Sequence, residues 1–345
     1  MGTVKYSYSR LSTYGQCPWK YKLKYVDFNF VPVDSIAIDL GTLIHFIEEH
    51  ISYALMKGEK PDYDKLIDDF RHINRPKTGP QDMDGGQLGI EALAKKYPFE
   101  FYATDENGSS YATRCEWYAN EGIYRQEKFL EAHPTYKLFD VERYFEFTFD
   151  GHILKGYIDR IWYDTETDQY IIDDIKTKNK LFDEEETKTP MQHCIYAMAL
   201  KSSLGLDTEP TQFFYDLPFV NTRQPLGTMH CISRAQKKLR TWFDKIDGKP
   251  VVNGKPFDLD KDQWKPSPSA LCYWCEYGGM NPHQPKEGKH LCPYYALWKQ
   301  GDKYTGATLN TWGGMHNHER VMDQYLNVQC DEGDGASKEF DISCF

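Results

Sequence analysis

Residues 156–178, GYIDRIWYDTETDQYIIDDIKTK, constrain the fold of this chain more than any other segment. Two runs rich in β-branched and aromatic residues flank Thr165-Glu166-Thr167-Asp168, which predicts an antiparallel hairpin. Opposed residues of a hairpin keep a constant index sum. A turn centred between Glu166 and Thr167 therefore sets Asp159 against Asp174, with Cβ atoms roughly 5 Å apart. Strand alternation puts Lys176 on the Asp174 face and turns Asp173 to the other, where a structural role is expected. Ile171, Ile172 and Ile175 mark a central or half-buried strand, in which an unpartnered carboxylate is costly. Two facing carboxylates repel one another. A divalent cation relieves that repulsion, and hard oxygen ligands suit Mg²⁺ or Mn²⁺. Such an ion polarises a phosphate oxygen and lowers the pKa of bound water. An adjacent ammonium positions or activates the water, or stabilises charge on the phosphoryl group. These are the ingredients of phosphodiester hydrolysis; a solvated surface hairpin is the plain alternative.

The flanking sequence predicts an α/β arrangement. Residues 9–27 suggest a helix interrupted at Pro18. Leu40, Leu43, Ile44, Ile47, Ile51 and Leu55 follow the helical period, and Gly58 ends that helix. Residues 58–112 are polar and rich in Gly, Pro and Asp and resemble an insertion, with a short helix near 62–71 and a loop at 74–89. A further helix is expected at 115–133. VERYFEFTFD reads as a strand closed by a Gly151 turn. Thr189 and Pro190 open a helix through Leu204. TQFFYDLPFV and LGTMHCIS read as two more strands. Ser233 and Gln236 form a candidate capping box for a basic helix. The expected organisation is an N-terminal helical segment (1–57), an insertion (58–140), a core (141–246), a cysteine-bearing segment (247–300) and an extension (301–345).

The formal net charge of −11 argues against bulk electrostatic coating by nucleic acid but not against a local basic groove. No run of 18 apolar residues and no signal-like N-terminus occur, so a cytoplasmic protein without a membrane partner is expected, in a bacterial cell or a phage-infected host. Nine cysteines in a reducing compartment point to metal ligation where they cluster, as Cys272, Cys275 and Cys292 do.

Gln192 and Tyr196, four apart on the helix after the hairpin, share a face. His45 lies four residues after Gly41 in GTLIHFIEE, beside the apolar stripe. The succession G-x-x-x-H, GYIDRI, IIDDIKT and Q-x-x-x-Y resembles the PD-(D/E)XK nuclease superfamily over roughly residues 5–57 and 141–300. The closer likeness is to its RecB-type branch: AddB nuclease domains and CRISPR-associated RecB-like iron–sulfur exonucleases. That resemblance implies a restriction-endonuclease-like core, a mixed central sheet flanked by helices. It implies His45, Asp159 and Asp174 as metal ligands, aided by the Ile175 carbonyl, and Lys176 as the catalytic lysine. Gln192 and Tyr196 would orient the strand and the site, with Glu48 or Glu49 in support.

Members of that branch often hold a 4Fe–4S cluster on one cysteine before the core and three after it. The resemblance therefore implies Cys17, Cys272, Cys275 and Cys292 as ligands, joining the N- and C-terminal segments. Sixteen residues separate Cys275 from Cys292, an unusually long interval, and include His283 and His290, so a zinc site is the rival; unligated thiols are the plain reading. Candidate phosphate contacts are Lys20, Lys22, Lys24, Arg160, Lys178, Lys180, Lys237, Lys238 and Arg240; Tyr21, Tyr25, Trp242 and Trp274 are candidate stacking residues. The function expected is metal-dependent cleavage of DNA, as an exonuclease on single strands or duplex ends in recombination, repair or phage DNA processing. A structure-preferring endonuclease and a non-cleaving DNA-binding protein are the alternatives. No Walker A motif is present, so a motor would come from a recombination or helicase partner.

Overall fold

A computed structural model describes residues 4–278 apart from 32, 34, 76–86, 189, 228–230, 270 and 273–274, and also describes Cys292. Two compact units are distinguished. The larger comprises Met1–Tyr8 and Asp34–Phe243, the smaller Ser9–Val33 and Asp244–Phe345.

In chain order the elements begin with β1 (Lys5–Tyr6), α1 (Tyr8–Gln16) and α2 (Pro18–Tyr21), the last continued by a π-helical turn at Lys22–Val26. Next come α3 (Ile36–Met56), α4 (Tyr63–His72), β2 (Asn74–Arg75), β3 (Gln87–Leu88), α5 (Ile90–Lys96), α6 (Pro98–Tyr102), α7 (Tyr111–Asn120) and α8 (Arg125–Ala132). The long strands β4 (Tyr136–Phe149) and β5 (His152–Asp164) precede β6 (Gln169–Ile175), α9 (Glu184–Lys188) and α10 (Met191–Leu204). After β7 (Gln212–Leu217), β8 (Thr222–Pro225) and α11 (Cys231–Ile246) come β9 (Val251–Val252), β10 (Lys255–Pro256) and α12 (Leu259–Asp262).

The larger unit is an α/β fold with a mixed central sheet flanked by helices. Its six strands run β1-β5-β6-β7-β8, with β4 also paired to β5. β4, β5 and β6 form an antiparallel meander, whereas β6 and β7 are parallel. A parallel pair needs a long crossover, and α9 with α10 supplies it. The hairpin register follows the index-sum rule: Arg160 pairs with Asp173 and Asp164 with Gln169. The next pair outward on that sum is Asp159 and Asp174.

Helix α3 buries Leu40, Leu43, Ile44, Ile47 and Ile51, the stripe expected from its period, and Gly58 (φ 72°) adopts the left-handed conformation that follows a helix end. Residues 58–112, expected to be a polar insertion, contribute to the same core. Tyr63, Leu66 and Phe70 of α4, with Leu93, Tyr97 and Phe101, pack into one cluster with α3 and Tyr118 of α7. Their sparse helical spacing is masked by the polar residues between them. LGTMHCIS is not a strand where it is described. Cys231 opens α11, so Ser233 lies inside the helix rather than capping it, and the edge strand is Thr222–Pro225 instead. Cys231, Ala235, Leu239, Trp242 and Phe243 are the buried stripe that makes the helix win.

In the smaller unit, Tyr21 stacks on Trp264 at 6.0 Å and Tyr14 donates to the Gln263 carbonyl at 3.0 Å. The Tyr277 hydroxyl donates to the Asn29 carbonyl at 2.6 Å. These contacts tie the N-terminal segment to residues beyond 260 within this unit. Residues 301–345, with His283, His290 and Trp274, lie outside the described residues.

Candidate active site and cysteine pocket

Strands β4, β5 and β6 and helices α3 and α10 bring together most of the side chains singled out from the sequence. Ligand atoms of His45, Glu142 and Asp159 lie within 4.8 Å of one another, an arrangement able to hold a metal ion. Asp159 Oδ2 accepts the Ile175 peptide N–H at 2.8 Å and lies 3.9 Å from His45 Nδ1. Asp174 is fully buried, and its Oδ1 has no hydrogen-bond partner among the described residues. Lys176 Nζ sits 2.5 Å from Asp174 Oδ2 and donates to Gln192 Oε1 at 3.2 Å. Gln192 Nε2 in turn donates to the Tyr196 hydroxyl at 2.5 Å. Tyr196 is buried edge-on against Phe145.

Glu142 was not among the residues expected from the sequence. It lies within β4 with φ 48°, a left-handed conformation that costs energy for a residue bearing Cβ. The β4–β5 hairpin, turning at Gly151, sets it opposite Asp159 between the pairs Val141–Arg160 and Arg143–Ile158, so the index-sum rule extended to this second hairpin would have found it. Burial raises its carboxyl to about 8, with Asp159 and Glu49 adding to the shift. Burial also raises Asp159; His45 opposes this and Asp174 reinforces it. Carboxylates so crowded must take up protons or a cation. The unpartnered Asp174 oxygen and this oxygen-and-imidazole donor set fit a hard divalent ion. Burial works against a charged Lys176, yet Asp174 and Asp159 outweigh it and hold the ammonium above its ordinary value. Lys176 therefore stays protonated at neutral pH.

Two further groups escaped the sequence reading. Burial pushes up the Tyr8 phenol, which also feels Lys176 and Asp174. His193, buried on α10, contacts the Phe214 carbonyl at 3.0 Å, and burial holds its imidazole down to about 4, hence neutral.

Arg160 is a correction. Expected to touch phosphate, it is wholly buried and cannot reach a ligand. It contacts Asp216 at 3.1 Å and Asp173 and Glu48 at 3.3 Å. Arg125 completes pairs with Glu48 and Asp216, and Arg223 with Asp173 at 3.1 Å. Three guanidiniums thus offset three carboxylates. Glu48 belongs to this network rather than beside the metal ligands, and Asp173 has the structural role its strand face predicted. Most other expected cations have partners as well. Lys20 and Lys24 both pair with Glu276, and Lys178 pairs with Glu186. Arg240 pairs with Asp150, while Lys237 and Lys238 are exposed on α11. Tyr21 and Trp242 are core side chains, not exposed platforms.

Cys17, Cys272, Cys275 and Cys292 line one pocket of the smaller unit with Lys20 and Trp19. The peptide N–H groups of Lys20 and Ser267 point at Cys17 Sγ from 3.5 Å, and that of Ser269 at Cys272 Sγ from 3.4 Å. Four thiols lining one pocket, Cys17 and Cys272 among them accepting from peptide N–H groups, match the donor set of an iron–sulfur or zinc site.

Residues 5–280 match the PD-(D/E)XK nuclease superfamily. The chain belongs to that superfamily. Among solved structures, the crystal structure of a protein described as "Putative exonuclease" from Eubacterium rectale is similar at 11% identity, with a TM-score of 0.34 over 73% of this chain and 90% of that one. No curated protein matches. Within the superfamily chain, no described helix is long and apolar enough to cross a membrane.

Proposed function

We propose that this chain hydrolyses DNA phosphodiester bonds with Mg²⁺ or Mn²⁺, as an exonuclease of the RecB-type branch. The observation that carries this reading is the cluster of His45, Glu142 and Asp159 next to the Asp174–Lys176–Gln192–Tyr196 chain of contacts. His45, Asp159 and Asp174, with Glu142 and the Ile175 carbonyl, would hold the ion. When bound, such an ion polarises a phosphate oxygen and acidifies water. Lys176, kept charged, stabilises negative charge developing on the phosphoryl group. Gln192 fixes the ammonium through its Oε1, and Tyr196 fixes Gln192. Lys180, Lys237 and Lys238, exposed among the expected cations, would contact phosphate; a recombination or helicase partner would deliver strands to the site.

Linear single-stranded DNA should be shortened to mononucleotides or short products in Mn²⁺, and EDTA should stop the reaction. End-blocked and circular DNA should survive. Cutting of circles would show an endonuclease instead, and binding without cutting at any divalent ion would show the non-cleaving alternative.

The four cysteines support a 4Fe–4S cluster over zinc. Four cysteine thiols line one pocket, the all-thiolate set that such a cluster takes. Anaerobically purified protein should be brown with broad visible absorption, and Cys17→Ser should lose the colour. Colourless protein with one zinc per chain would refute the assignment.

A further inference from the structure

A cavity of about 370 Å³ in the larger unit takes no part in this chemistry. It opens between α8, the start of β4 and the β7–β8 turn and shares no residue with the metal cluster. Its volume falls at the lower end of the range for small-molecule sites. Arg125, Lys128, His133 and Arg223 bring nitrogen to its wall, Phe129 and Tyr136 bring aromatic rings, and no carboxylate lines it among the described residues.

The charges are not equivalent. Arg125 and Arg223 are more than nine-tenths buried and paired with Glu48, Asp173 and Asp216 behind the wall. They give rigidity rather than free charge. Lys128 stands exposed at the mouth with no carboxylate partner among the described residues, so the uncompensated charge there is positive. His133 Nδ1 meets the Phe129 carbonyl at 2.9 Å, which leaves Nε2 for a ligand. Its ring stacks on Phe129 at 4.3 Å and reaches Tyr136 at 5.1 Å, while the Arg223 guanidinium lies 3.7 Å from the Phe129 ring centre. Cationic groups beside a fixed aromatic wall suit an anion joined to a planar ring.

We propose that this cavity binds a nucleotide unit, with its phosphate at Lys128 and His133 and its base against Tyr136. A free nucleoside monophosphate and the terminal nucleotide of a strand offer this same chemistry. The site is separate from the metal cluster, and its test needs no hydrolysis.

Calorimetric titration of the full chain in EDTA tests it, with a deoxynucleoside 5′-monophosphate, a 5′-phosphorylated dinucleotide, the unphosphorylated nucleoside and inorganic phosphate as probes. A phosphorylated nucleotide should bind saturably and more tightly than nucleoside or phosphate alone. Preference for the mononucleotide identifies a free nucleotide as the source, and preference for the dinucleotide identifies a strand end. Lys128→Glu should weaken binding roughly tenfold to a hundredfold, the scale of one charge-assisted hydrogen bond. Tyr136→Ala should weaken the nucleotide but not inorganic phosphate, and Asp174→Asn should change neither. Lys128 is exposed, so its variant should keep the parent circular dichroism. The proposal fails if no probe saturates, if phosphate alone binds as well as the nucleotide, or if Asp174→Asn abolishes binding that Lys128→Glu leaves intact.

Discussion

Lys176→Ala should lower the rate of DNA cleavage by about a hundredfold to a thousandfold at saturating Mn²⁺, the usual loss when a preorganised charge at the reacting phosphate is removed. The ammonium sits between Asp174 and Gln192, and Asp174 and Asp159 keep it protonated against burial. Its work is therefore electrostatic, and the loss should fall on kcat while affinity for single-stranded DNA, read by fluorescence anisotropy in Ca²⁺, changes only a fewfold. Gln192→Ala should cost less, because it removes only the group that orients the ammonium. If Lys176→Ala cuts at near the parent rate, the chemistry lies elsewhere on the molecule.

Arg160→Met should destabilise the larger unit by about 3–5 kcal/mol, the range for breaking a buried ion pair from one side. At roughly 2–4 °C per kcal/mol this is a fall in melting temperature on the order of 10 °C. Arg160 touches Glu48, Asp173 and Asp216, none of which is exposed to water, so its loss strands net negative charge in the core. The pH dependence gives a second signature. In the parent, burial would raise Asp216, but Arg125, Arg223 and Arg160 hold it well below the ordinary carboxylate range. Its stabilisation is present above the unfolded value near 4 and is lost as pH falls through the lower folded value. In the variant the stranded acids rise above their unfolded values, so the folded state binds the extra proton. The deficit should then shrink between pH 8 and pH 5. Equal melting temperatures at pH 8, or a deficit that grows on acidification, would contradict this account. α3, β5 and β6 each carry one network member beside one candidate site residue: Glu48 near His45, Arg160 beside Asp159, Asp173 beside Asp174. The same variant should for that reason also slow cleavage.

Legibility followed the range of the interactions. The hairpin arithmetic aligned Asp159 and Asp174 because a two-strand register is local and a turn fixes it. The Gln192–Tyr196 contact follows from helical spacing alone. The stripe of α3 was legible because its buried residues are unbroken at 3.6 spacing, whereas α4 to α7 hide few buried side chains among many polar ones. LGTMHCIS misled because its alternation is short, and the partner surface along α11 outweighs it.

The sequence by itself determined the mixed α/β core and the hairpin that carries an acid on each strand, since both depend on periodicity and short-range geometry. Only the tertiary structure decided that His45 of α3 joins Glu142 and Asp159, and that Arg160 is a buried counter-ion rather than a surface cation. It also decided that the four cysteines share one pocket. Each of these depends on what lies across from a residue in space. A side chain's charge is written in the chain, but whether it meets water, a carboxylate or a ligand is set by the partner that folding places opposite it.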